Sequence, residues 1–89
     1  ANTKGDISLK YYTYMLKSED INNITYVGWT NNIKKRLEKH NSGKGAKSTR
    51  GRKWKVIYYE LFKTKKEAMK REYYIKKNTK LRKKIKRMN

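Results

Sequence analysis

The apolar residues of this 89-residue chain are gathered into three short runs, "YYTYMLKS" (11–18), "ITYVG" (24–28) and "WKVIYYELF" (54–62). All three are rich in aromatic and β-branched side chains, which fit a pleated, half-buried surface, so each reads as a strand. The third is apolar enough to be central. The polar "EDINN" (19–23) between the first two reads as a hairpin loop. Elsewhere the period changes from two to nearly four. Ile33 and Leu37 are four apart and share a helix face. Thr30 or Asn31 can cap that helix, which should run over about 32–41 and stop near Gly43. Thr64 can cap a second helix, "KKEAMKREYYIKK" (65–77). Leu81, Ile85 and Met88 follow at i, i+4, i+7, so a short basic helix begins at about 79 and docks by one face. The order β-β-α-β-α-α predicts a small α/β domain, with a three-stranded, mostly antiparallel sheet flanked by helices. Residues 1–9 read as a loose leader and 10–89 as a single domain.

A chain of this size buries only roughly 60–65% of its unfolded surface, so its core is modest. It has no cysteine and one histidine, which excludes a disulfide framework and a structural zinc site with the usual ligands. No apolar run reaches the roughly 20 residues that span a bilayer. The polar start "ANTKGDISLK" is not a secretory signal, so a cytoplasmic location is expected, at the nucleoid if the source is bacterial.

Against seven acidic residues stand 26 Lys and Arg, a formal net charge of +19. Such an excess repels itself in the compact state and draws in polyanions. Nucleic acid is the expected partner, ahead of an anionic membrane surface. Eight tyrosines and two tryptophans indicate a folded core and not a polybasic tail. The segment "NSGKGAKSTRGRK" (41–53), with three glycines and five basic residues, reads as a flexible loop. Lys44, Lys47, Arg50, Arg52 and Lys53 on it can track a phosphate backbone. Lys76, Lys77 and Lys80, with the basic positions that follow, can grip a second arm of DNA. Within this loop "GKGAKST" looks superficially like a phosphate loop. Its spacing is wrong and Ala46 stands where glycine is needed, so no nucleotide cofactor is expected.

Several polar residues border the expected core. Tyr14 and Tyr26 lie on strands joined by a short loop and can be neighbours across the sheet. Arg36 and His40 are four apart beside the Ile33–Leu37 stripe. Glu72 falls four after Ala68 and three before Ile75, at the edge of the second helix's buried face. A carboxylate there is costly unless paired or bound to metal. Each has an ordinary explanation when taken singly: core tyrosines, an arginine lying along its helix, a capping histidine, a glutamate paired to Arg36 or a lysine.

Their joint order is more specific. Tyr-x-x-x hairpin Tyr-Val-Gly, then Arg36 and His40, then "EYYIKK" on a later helix resembles the GIY-YIG nuclease family. "YTY" (12–14) departs from Gly-Ile-Tyr, while "YVG" (26–28) is close. The segment "WTNNIKKRLEKHNSGKGAKSTRGRKW" matches best, over a resemblance that covers about residues 10–80. It is similar to the small single-domain bacterial branch and to the nuclease domain of the eukaryotic structure-specific endonuclease. The resemblance implies a phosphodiesterase site made of Tyr14, Tyr26, Arg36, His40 and Glu72. In it Arg36 contacts the scissile phosphate and Glu72 alone holds a divalent metal, Mg²⁺ with Mn²⁺ as a substitute. Gly28 matches the glycine where a side chain would intrude, and Asn78 the asparagine that follows the metal-binding glutamate.

On this reading Arg36 neutralises phosphate oxygens. A tyrosine, normally protonated at neutral pH, is drawn toward phenolate by nearby positive charge and takes a proton from water. Tyr26 is favoured on the match of "YVG", with Tyr14 as its partner, and His40 relays a proton or orients a phenol. Nothing resembles a base-reading helix, so DNA would be chosen by shape (branched, flap, nicked or partly single-stranded) and not by sequence. Repair and recombination are tasks of that kind. The alternative is a non-catalytic RNA- or ribosome-associated domain with the same fold. Glu72 discriminates the two, since binding needs no carboxylate at that core edge. A protein partner is possible, but the lack of cysteine excludes the cysteine-rich partner-binding domain of the eukaryotic relatives.

Overall fold

The computed structural model describes residues 9–88, so the expected leader lies almost wholly outside the described residues. Strands β1 (Tyr11–Ser18), β2 (Thr25–Thr30) and β3 (Trp54–Phe62) form one sheet in the order β2-β1-β3, with both pairings antiparallel. The central strand is therefore β1, not β3. Its residues Thr13, Tyr14, Met15 and Leu16 are buried on both faces, whereas β3 carries Tyr59 and Leu61 into solvent. Overall apolarity was a poor guide to position, because a two-layer cover requires consecutive residues of the middle strand to be buried and asks only every second residue of an edge strand.

Helices α1 (Ile33–Asn41), α2 (Lys65–Lys77) and α3 (Thr79–Arg87) cover the two faces of the sheet. Tyr14, Leu16 and Trp54 pack with Ile33 and Leu37 of α1 on one face. Met15 and Val27 pack with Ile75 of α2 and Ile85 of α3 on the other. The alternation of Tyr14 and Met15 between the two clusters is the period-2 pattern of a strand covered on both sides. A bulge between Met15 and Leu16 interrupts the β1–β3 register.

Local chemistry fixes the ends of these elements. In the hairpin, the Asp20 carboxylate accepts from Asn22 N–H and the Ser18 hydroxyl, and Asn23 takes the left-handed conformation at φ 49°. The cap of α1 is Asn32 and not Thr30 or Asn31. Its side chain accepts from Lys35 N–H, while Thr30 Oγ1 accepts from Asn32 N–H one step upstream. Thr64 caps α2 as expected, in a reciprocal capping box with Glu67. Asn78 ends α2 and begins α3, its side-chain oxygen accepting from Leu81 N–H and its amide donating to the Tyr74 hydroxyl.

The segment 41–53 is not the flexible loop expected. A single turn of 3-10 helix, Lys47–Thr49, lies within it, and Thr49 is fully buried. The Trp54 indole N–H donates to the Thr49 carbonyl at 2.8 Å, and the Asn41 side chain brackets the Trp54 backbone from both directions. Glycines and lysines hid this because the residues that anchor the segment, Thr49 and Trp54, are two among its many polar neighbours. No helix among the described residues is long and apolar enough to cross a membrane.

Candidate active site

Tyr14 and Tyr26 stand on neighbouring strands, on the same face as α1. Tyr14 is opposite Gly28 and Tyr26 is opposite Leu16, which makes the two tyrosines diagonal neighbours with ring centroids 6.4 Å apart. The Tyr14 ring lies directly over Gly28. A Cβ at that position would stand 2.6 Å from the Tyr14 hydroxyl oxygen and 3.0 Å from the Tyr26 ring. Glycine is required there for room, not for backbone freedom.

His40, on the last turn of α1, is fully buried. Its ring centroid is 4.9 Å from that of Tyr26, and its Nε2 is 2.9 Å from the Tyr14 hydroxyl. Its Nδ1 is 2.9 Å from Thr49 Oγ1, which is itself 2.8 Å from the Ala46 carbonyl. These contacts fix the tautomer. A carbonyl only accepts, so the Thr49 hydroxyl proton goes to Ala46 and Thr49 accepts from His40 Nδ1–H. Nε2 then carries a lone pair and accepts from the Tyr14 hydroxyl. Burial, with the Arg36 charge adding to it, pushes the histidine pKa down to about 4, so the ring is neutral. Burial pushes the Tyr14 pKa up to about 12, although the Arg36 hydrogen bond opposes it. Both shifts hold the pair in one protonation state, a phenol donating to a neutral imidazole.

Arg36, one turn before His40, is half-buried. Its guanidinium lies against the Tyr14 hydroxyl and within reach of that of Tyr26, and these contacts hold its pKa above the ordinary range. It opens onto a hollow of about 340 Å³ shared with Trp29, Thr30 and Asn31. Glu72 arrives from α2, on the opposite layer. Its negative charge is near enough to contribute to raising the Tyr14 pKa. The side chain is only 19% exposed, and its carboxylate pairs with Lys76 Nζ at 3.2 Å. Of the two partners considered for it from sequence, Arg36 and a lysine, the lysine is the one paired. Among the described residues no three of His, Cys, Asp and Glu gather into a cluster able to hold a metal. An ion held by Glu72 would have no such cluster around it. Tyr14, Tyr26, Gly28, Arg36, His40 and Glu72 are thus brought together, while Asn78 is occupied as a helix cap.

Two residues that sequence reasoning passed over complete the site. Thr49 holds the His40 tautomer. Gly45 lies so close to the ring that a Cβ would meet His40 Nδ1 at 2.5 Å. Both belong to "GKGAKST", whose sequence shows on its surface only an imperfect phosphate-loop pattern. The usable signal was the pairing of a buried-type threonine with a glycine just after the lone histidine. Of the basic residues expected to touch nucleic acid, Lys44, Lys47, Arg50 and Lys53 are exposed. Arg52 differs, since its guanidinium is tied to Asp20 across the hairpin loop. Lys76 pairs with Glu72, Lys77 lies over the Tyr73 ring, and Lys80 is exposed.

Residues 10–86 match the sequence model of the family described as the GIY-YIG catalytic domain. The chain is 55% identical over 69 residues to the UPF0213 protein CPE1444 of Clostridium perfringens, covering 76% of this chain and 72% of that one. It is 45% identical over 76 residues to the UPF0213 protein YazA of Bacillus subtilis, covering 84% and 75%. Among solved structures it is similar to the solution structure of the UPF0213 protein BH0048 from Bacillus halodurans. That likeness has 37% identity, a TM-score of 0.49, and coverage of 83% of this chain and 78% of that one.

Proposed function

Because this chain belongs to the GIY-YIG family, whose domain is a nuclease catalytic domain, we propose that it is a metal-dependent DNA endonuclease selecting DNA by shape and not by sequence. The observation that carries this reading is Arg36 set against the hydroxyls of Tyr14 and Tyr26, with the Glu72 charge felt at Tyr14. Phosphodiester hydrolysis needs charge relief at phosphorus, a proton acceptor for the attacking water and help for the leaving oxygen. Arg36 relieves the charge on the non-bridging oxygens through its planar fork. Tyr26 takes the proton from water. It is only half-buried and so can touch a reacting molecule, and its hydroxyl lies within reach of the Arg36 guanidinium.

Tyr14 holds position. It is 2% exposed, its proton is committed to His40, and burial makes its phenolate costly. His40, set by Thr49, keeps that hydroxyl in place and leaves Arg36 facing outward. Glu72 fits Mg²⁺ or Mn²⁺: it is a hard oxygen ligand, and a single carboxylate leaves room for waters and phosphate oxygens in the coordination shell. When bound, the ion stabilises developing charge at the phosphate and leaving oxygen. Lys44, Lys47, Arg50 and Lys53 hold the flanking backbone without reading bases, which suits branched, flap or nicked DNA. The work so described belongs in the cytoplasm at the nucleoid, in repair or recombination.

The test is cleavage of labelled duplex, flap, splayed and four-way-junction DNA with Mg²⁺ or Mn²⁺ by the wild type and Glu72→Gln. Nicking by the wild type that falls at least about a hundredfold in Glu72→Gln, with DNA binding retained, is the expected result. Binding without cutting by either protein would transfer the chain to the non-catalytic nucleic-acid-binding alternative.

A further inference from the structure

The exposed apolar and aromatic side chains on the outer face of α2 are not part of the candidate active site, yet they are unusual for so basic a chain. Met69, Tyr73 and Tyr74 are 44%, 60% and 52% exposed. Met69 and Tyr73 are four apart, so with Lys65 and Lys77 they form one row along the helix. Two shallow hollows lie along that row. One of about 710 Å³ is lined by Lys65, Met69, Glu72 and Tyr73 among others, and one of about 480 Å³ by Tyr73, Tyr74, Lys77 and Lys80. At its start the row meets Trp29, a strand residue bordering the Arg36 hollow, with Lys65 Nζ 5.4 Å from the indole centroid.

Each ring on this surface carries a cation. Besides Lys65 over Trp29, the Arg71 guanidinium is 5.1 Å from the Tyr74 ring and Lys77 Nζ is 4.7 Å from the Tyr73 ring. Such pairs occur about once per 70–80 residues. Three on one helix of this small domain mark a surface built of rings and positive charge together. None of these rings is needed to fill the core, which the other face of α2 supplies through Ala68 and Ile75. Flat rings alternating with mobile cations match a nucleic-acid strand, whose bases stack and whose phosphates take the charge. A second copy of this chain is a poor occupant, because lysines on both faces would repel.

We propose that the row from Trp29 and Lys65 through Met69 to Tyr73 and Lys77 is a subsite that stacks unpaired bases of a DNA strand entering the Arg36–Glu72 centre. The proposal rests on the endonuclease reading and deepens it, since it assigns the selection of branched over plain duplex DNA to a place. Bases in an intact duplex are stacked on one another and cannot use the row. Those at a flap, splay or junction can. Glu72 lines the first hollow, so a strand lying along the row passes the residue that would hold the metal.

The experiment measures binding in EDTA, where no hydrolysis intervenes, by fluorescence anisotropy. The probes are an oligothymidylate of about 15 nucleotides and an abasic strand of the same length, with the same phosphates and no bases. The wild type should bind the thymidylate at least about tenfold more tightly than the abasic strand. The double variant Met69→Ala/Tyr73→Ala should lose most of that difference and keep its affinity for the abasic strand. Tyr73→Phe, which keeps the ring, should retain it. Both positions are exposed, so these variants fold. Equal binding of the two probes by the wild type would overturn the proposal, as would an unchanged preference in the double variant. Sedimentation showing a dimer that Tyr73→Glu dissociates would also overturn it, by assigning the face to self-association. All of these outcomes leave the cleavage test on Glu72→Gln untouched, so failure of the subsite and failure of the nuclease reading are distinguishable.

Discussion

The tightest constraint at the residue scale is the contact between Gly28 and Tyr14. The phenol cannot yield to an added methyl group, because its hydroxyl is held by His40 Nε2 at 2.9 Å and the ring is almost fully buried. Gly28→Ala should therefore cost about 1–3 kcal/mol, the usual range for overpacking a filled site. For a domain this small, each kcal/mol lowers the Tm by roughly 4–8 °C. Thermal unfolding checks this, and a loss under about 2 °C would mean that Tyr14 has somewhere to go. Sequence inspection could pick out Gly28 from the resemblance of "YVG" to a family motif. It could not find Gly45 or Thr49, whose importance comes from a histidine folded back onto them.

At the scale of elements, the site exists because α1 and α2 lie on opposite faces of the sheet and each sends a charged residue toward Tyr14. On α2, Glu72 and Lys76 are one turn apart and paired, so the lysine competes with any cation for the carboxylate. Lys76→Met, which keeps most of the apolar stem, should raise Mn²⁺ affinity several-fold by removing that competitor and one positive charge beside the ion. Calorimetric titration with Mn²⁺ measures it. Unchanged affinity would show that the lysine swings clear without cost. Element boundaries were largely legible in the chain: β3 and α2 fall at the residues expected, because "WKVIYYELF" is a run of aromatic and β-branched residues and Thr64–Glu67 form a capping box. The cap of α1 was not legible, since Thr30, Asn31 and Asn32 are all competent and only the path of the strand selects among them.

Over the whole molecule, protonation of His40 couples to unfolding. The folded pKa of about 4 lies below the ordinary 6.5, so the unfolded chain binds more protons between these values. Stability is fully present above pH 6.5 and declines as pH falls toward 4. The linkage amounts to about 2 kcal/mol between pH 7 and pH 5. Urea unfolding at those two pH values should show it in the wild type. His40→Gln should remove most of the difference while being less stable throughout, and an unchanged pH dependence in that variant would assign the effect to carboxylates. A domain with so modest a core holds few kcal/mol in reserve, so acid should unfold it early.

The sequence by itself determined the element order, the α/β class with a sheet flanked by helices, and the electrostatic character. Those follow from hydrophobic period, capping chemistry and net charge, which act over a few residues or over the whole composition. It also singled out Tyr14, Tyr26, Gly28, Arg36, His40 and Glu72 through a family resemblance. Only the tertiary structure decided that β1 is the middle strand and that the basic loop is anchored through Thr49 and Trp54. It alone decided the tautomer of His40, because that rests on a chain of contacts from Ala46 through Thr49 and His40 to Tyr14. The reason is common to all of these. Each depends on which distant residues share a small volume, and a one-dimensional pattern carries no information on distance across the fold.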